Sequence, residues 1–350
     1  MFTEICQHDK RLCHTICGKG KKTITKELTE KVEKGQKISL TFDEWTSLHN
    51  CRYMNINVHD DSQFFNIGLS RVFGSMPAEK CVELLEKKLL QFGLQIDKIF
   101  GMTTDGAPVM VKVGKLVEAE HQLCIVHGIQ LAVIDVLYKK VKKVCSASDV
   151  THEEQDDDGG SDSEEDEEYE EDEEDDGFEV IIETAETEFD LQDDIQPVVL
   201  KVRKVVNLFR RSPVQNDKVL QKYVLEEFCK NLSLIKDTKA RWNSLFDMID
   251  RLLALKNCVR KAMIDINSND QFTDDEMALL TQVRDALHPI KLTVKKLCSR
   301  NTDLYSADIA LKFILDELSS QNTVLSNALK DSLIARIKQR RTDNSNIFFT

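Results

Sequence analysis

Between residues 37 and 72 the chain alternates apolar and polar positions three times over. Ile38, Leu40 and Phe42 alternate with polar neighbours and lead to Asp43; Met54, Ile56 and Val58 repeat the pattern, then Phe65, Ile67 and Leu69. A period of two marks half-buried strands, and His49-Asn50 and Asp60-Asp61-Ser62 are turn formers. A three-strand meander is therefore predicted. After Pro77 the period changes: Val82, Leu85, Leu89 and Phe92 share one helical face, and Gly93 supplies the stop, predicting a helix over 78–92. Residues 99–104 are a short apolar run that delivers Asp105 to the turn Gly106-Ala107-Pro108. A helix over 109–116, a strand over 122–126 and a helix over 127–138 follow, the last with Ile129, Val133, Val136 and Leu137 on one face. The predicted order is β-β-β-α-β-α-β-α, an α/β unit built on a mixed sheet. Upstream, residues 25–32 suit a short helix ended by Gly35.

The pattern vanishes between residues 145 and 194. From Pro197 onward only helical periods remain, beginning with the stripe Val198, Val202, Val205, Val206 and Phe209. Helical segments continue over 219–228, 242–263, 274–287, 290–297, 306–318 and 324–340 without a strand pattern between them. The expected organisation is an N-terminal remnant (1–36), the first part of an α/β core (37–144), an acidic loop (145–195) and an all-α domain (196–350). At 350 residues the chain has room for two hydrophobic cores.

Charge changes the picture. The formal net charge is −14, yet residues 153–176 contain 18 Asp and Glu and no Lys or Arg; taking those 18 negative charges from −14 leaves +4. Such a tract repels itself and has nothing to bury, so it is expected to be a disordered loop and a surface for other protein chains. Ser161 and Ser163 each carry an acid three residues on, a pattern that suits an acidophilic kinase. The mildly basic remainder leaves binding to a polyanion open. No apolar run is long enough to span a bilayer, no secretory leader is evident, and no membrane partner or small-molecule substrate is expected. The ten cysteines show no paired spacing, which points to reduced thiols in cytosol or nucleus. Cys6, His8, Cys13, His14 and Cys17 fit no standard finger spacing, so zinc is not expected in this chain.

The candidate chemistry centres on Asp43 and Asp105, each read as ending a strand. If those strands are adjacent and parallel, both carboxylates leave the same sheet edge, where hard oxygen donors suit Mg²⁺ and a metal pair could support phosphodiester cleavage. The alternative is that both acids cap turns. Cys124 and His127 lie near the same junctions. Two such ligands are not a zinc site and His121 is a weak third, so a buried thiol and a core imidazole are the competing reading.

The strings LTFDEWTS, RYMNINVH, TTDGAPVMVKVGK, LCIVHGIQLAVIDVLY, VRKVVNLFRRSP and KARWNSLFDMIDRLL occur in this order. Together they closely resemble the hAT superfamily of cut-and-paste DNA transposases and the zinc-finger-BED-type proteins derived from them, over residues 37–318. The resemblance implies a nuclear protein with a ribonuclease-H-like core followed by an all-α insertion domain. It matches Asp43 and Asp105 to the first two catalytic acids, with Mg²⁺ bound there if the site is active. It also matches Cys124 and His127 to a C-x2-H motif near active site and DNA. Arg241-Trp242 matches an R-W motif whose tryptophan stacks on an unpaired base, and Arg203, Arg210 and Arg211 would line a basic DNA-binding surface. Plain helix packing for Trp242 and a solvated face for the arginines are the competing readings.

Two departures bear on activity. The family's third acid, a glutamate in S-x2-E-R-x-F-S, is not found; Glu276 and Glu317 are available acids outside that context. A BED finger is also not found. The expectation is a fragment or degenerate copy that does not cut DNA by itself and retains some DNA binding. The alternative is a protein–protein adaptor or transcriptional regulator that kept the fold without DNA contact.

Overall fold

The computed structural model describes residues 10–47, 51–60, 63–142, 187–238, 242–299 and 304–340. Helix α1 (Lys10–Glu33) leads into the meander β1 (Ile38–Thr46), β2 (Arg52–His59) and β3 (Phe64–Val72). Then come α2 (Ala78–Leu90), β4 (Ile99–Thr104), α3 (Pro108–Leu116), β5 (Glu120–Leu123) and α4 (Ile125–Leu137). The five strands form one mixed sheet in the order β3-β2-β1-β4-β5. The meander pairs are antiparallel, whereas β4 runs parallel to both β1 and β5.

Alternation explains which face is covered. Ile38, Leu40, Phe42, Met54, Ile56 and Val58 are buried, together with Leu28 of α1, Cys81, Leu85 and Leu89 of α2, and Met110 and Val113 of α3. Helix α2 stops where Gly93 takes φ +72°, and the Leu94 N–H reaches back to the Leu89 carbonyl at 3.1 Å. Side chain on Gly93 would add strain, since its Cβ would also stand 3.0 Å from Thr29 Oγ1.

Helix α4 belongs to a second core. Its Ile129, Ala132, Val133 and Leu137 pack with the downstream helices. A two-stranded antiparallel sheet joins the halves: β6 (Tyr138–Lys142) pairs with β7 (Thr187–Leu191). The helical region comprises α5 (Gln196–Arg211), α6 (Gln221–Phe228), α7 (Trp242–Ala254), α8 (Lys256–Asp265), α9 (Asp274–Leu297), α10 (Leu304–Gln321) and α11 (Val324–Arg340). Thr273 and Glu276 close the start of α9 with a reciprocal capping box. Pro289 lies within α9, which continues through it.

Several boundaries differ from expectation. Asp43 lies inside β1 rather than at its end, because Asp43 to Thr46 keep their β2 partners Asn55, Met54, Tyr53 and Arg52. Strand β5 starts two residues earlier than predicted, and Ile125 and Val126 open a helix instead of closing the strand. The segment predicted over 242–263 is two helices that meet at Leu255, while 274–287 and 290–297 are one. Helix α1 is longer than 25–32, and neither β6 nor β7 was predicted. The acidic tract at 153–176 and Arg241 lie outside the described residues. No helix among the described residues is long and apolar enough to cross a membrane.

Candidate functional site

Strand order decides the site. In the β1–β4 register Thr41 stands opposite Thr103, so Asp43 and Asp105, two residues further along each chain, leave the same edge side by side. This is the carboxyl end of the parallel pair β1–β4, where α/β sheets place ligand chemistry. Asp105 is fixed by its own turn, its Oδ1 accepting the Ala107 N–H at 3.0 Å. The carboxylates feel each other: burial, then the like charge of Asp105, raises the Asp43 pKa to about 6.

Next to them β5 hands over to α4. The Cys124 N–H donates to the Thr104 carbonyl at 2.7 Å, tying the start of α4 to the end of β4. Burial raises the Cys124 thiol pKa, partly offset by the N–H groups of His127 and Val126, and Asp43 is among its charged neighbours. Burial, then Arg340, lowers the His127 pKa and so favours the neutral imidazole, and its buried Nδ1 has no hydrogen-bond partner. His121 is a structural histidine: its Nε2 lies 2.9 Å from Thr104 Oγ1 and its ring lies against Gly114.

Arg340, the last residue of α11, was not singled out by sequence reasoning. It is 7% exposed and sits between Gly106 and Gly128. A Cβ on Gly128 would meet its Cδ at 2.5 Å, and one on Gly106 would meet Nη1 at 2.8 Å. Asp105, Cys124 and Arg336 are the titratable groups around it. The structure thus brings Asp43, Asp105, Cys124 and His127 together and adds a buried guanidinium. No sequence signal could have found it, because Arg340 lies 218 residues from Gln122, which donates from Nε2 to its carbonyl at 2.7 Å.

A divalent-ion pair needs more oxygen donors than two carboxylates supply. Among the described residues no group of three or more His, Cys, Asp or Glu is placed to hold a metal ion. Glu276 serves the α9 cap and binds Lys201 at 2.7 and 3.0 Å, and Glu317 is exposed on α10. The described side chains therefore do not fit a two-ion centre.

The remaining candidates lie on the helical region, apart from this edge. Arg203 forms a bidentate pair with Asp237, with contacts from 2.6 to 3.1 Å and the Asp237 side chain 4% exposed. Trp242 is 3% exposed, in the helical core, and its Nε1 has no partner. Arg210 and Arg211 are exposed at the end of α5.

Residues 181–290 match the family model of the ZBED1 RNase-like helical domain. The chain is also similar to human (Homo sapiens) zinc finger BED domain-containing protein 4, 20% identical over 166 residues. That match covers 45% of this chain and 14% of the relative. Together they support a hAT/BED transposase-derived protein. The order of parts is consistent with that likeness: a mixed five-strand sheet with helices comes first and an all-helical region follows.

Proposed function

We propose that this is a nuclear, transposase-derived protein with a degenerate ribonuclease-H-like core, which contacts DNA without cutting it. The observation that carries the reading is the acid edge: Asp43 and Asp105 leave the same end of the parallel pair β1–β4 with the buried Arg340 nearby, and among the described residues no group of three or more His, Cys, Asp or Glu is placed there to hold a metal. Two carboxylates cannot hold two ions in line with a scissile phosphate, so cleavage is not expected. DNA contact is assigned to the exposed Arg210 and Arg211, with affinity arising from phosphate neutralisation. Arg241 is retained as a candidate from its motif.

Trp242 and Arg203 favour the second reading, an adaptor or regulator that makes no DNA contact. A tryptophan in the core offers no face to a base unless the start of α7 opens, and the Arg203 charge is already matched by Asp237. The test for cleavage is incubation of supercoiled DNA with the full chain in Mn²⁺ or Mg²⁺. No nicking is expected. Nicking that disappears in Asp43→Asn and Asp105→Asn would overturn the degenerate assignment.

A further inference from the structure

Arg340 is unusual in three respects. It is buried, it reaches the acid edge through a slot bounded by two glycines, and its Nε and Nη1 have no hydrogen-bond acceptor. Leaving guanidinium donors buried and unpaired is unfavourable, so something else must keep the side chain there. The surroundings supply it. On the outer side of α11, Arg336 grips Asp135 of α4 with two contacts, at 2.6 and 2.8 Å. Ser332 Oγ donates to the Ala132 carbonyl at 3.1 Å, and Gln122 holds the Arg340 carbonyl from the β5 side. Leu329, Leu333 and Ile337 bury the inner face of the same helix. The helix is clamped along its length, and the clamp drives its last side chain into the slot.

We propose that Arg340 is the resident cation of the acid edge and holds divalent ions off Asp43 and Asp105. The inference rests on reading that edge as the remnant of a ribonuclease-H-like site. Packed against the turn that follows Asp105, and with Asp105 among its charged neighbours, the guanidinium offsets the field that would otherwise draw in a metal. Its stem also closes the side of the edge between the Gly106 turn and the start of α4. Positive charge here comes from the chain itself, on a helix that can be loosened from outside through the Arg336–Asp135 contact.

The test is Mn²⁺ binding measured by isothermal titration at pH 8, where Asp43 is ionised. Arg340→Met keeps the stem and removes the charge. It should bind Mn²⁺ at least tenfold more tightly than the unaltered chain, and adding Asp43→Asn and Asp105→Asn should abolish that gain. Arg336→Ala leaves Arg340 in place but releases the outer clamp, and should give a smaller gain of about threefold. It carries the test by itself if Arg340→Met does not fold. Equal Mn²⁺ affinity in the unaltered chain and the variants, lost on removal of the two aspartates, would overturn the role of Arg340 while keeping the acid edge as a metal site. Absence of binding in every form would overturn it as well, since there would be nothing to hold off, and would leave the DNA-contact reading to its own experiment.

Discussion

Asp43 is a carboxylate held at a cost. Its pKa is raised to about 6 by burial and by Asp105, so the folded chain binds its proton more tightly than the unfolded chain does. Its contribution to stability is therefore most favourable below the unfolded value, near pH 4, and is lost as pH rises through about 6. Asp43→Asn should stabilise the protein at pH 8 by up to about 2 kcal/mol, allowing for partial solvent access. The same change should flatten the pH dependence between 4 and 6, as measured by urea unfolding at each pH. Unchanged or lower stability at pH 8 would mean that the acid has a favourable partner after all. Gly128 offers a second residue-level test, because its missing side chain makes room for the Arg340 stem. Gly128→Ala should cost about 1–3 kcal/mol through overpacking. Most of that cost should disappear in an Arg340→Ala background. Additive effects in that cycle would show that the two residues do not share the slot.

At the scale of elements, legibility followed the apolar pattern. The three meander strands, α2, β4 and α3 were visible because their alternation or helical stripe matches the face they bury. Errors arose where polar residues or distant partners decide. Glu44 to Thr46 extend β1 because β2 offers backbone partners, a fact invisible to hydrophobicity. Ile125 and Val126 look like strand residues and instead begin a helix anchored by the Cys124–Thr104 bond. Pairing of β6 with β7 joins residues too far apart for any local signal. At the site, motif order picked out Asp43, Asp105, Cys124 and His127, but nothing local to Arg340 connects it with them. Helix α5 holds a related test. Arg203 fits the description of a basic surface residue, yet it neutralises an Asp237 side chain that is almost wholly buried. Arg203→Ala would strand that carboxylate and should cost about 3–5 kcal/mol, whereas Arg210→Ala at the exposed end of the same helix should cost less than about 0.5 kcal/mol. Thermal unfolding of the two variants side by side checks this, and equal effects would contradict the assignment of Arg203 to structure.

For the whole molecule the governing quantity is charge. The 18 acidic residues at 153–176 turn a chain otherwise at +4 into one at −14. On the proposed DNA contact, that tethered tract would compete with phosphate for the cationic side chains, so its deletion should tighten binding. The direct test of the account is a titration of labelled duplex DNA with the tract-deleted chain, at about 50 and about 200 mM salt. Binding is expected at the lower concentration, falling steeply at the higher one and weakening when Arg210 and Arg211 are both changed to Glu. Failure of the tract-deleted chain to bind duplex even at the lower salt would contradict DNA contact and leave the adaptor reading in its place.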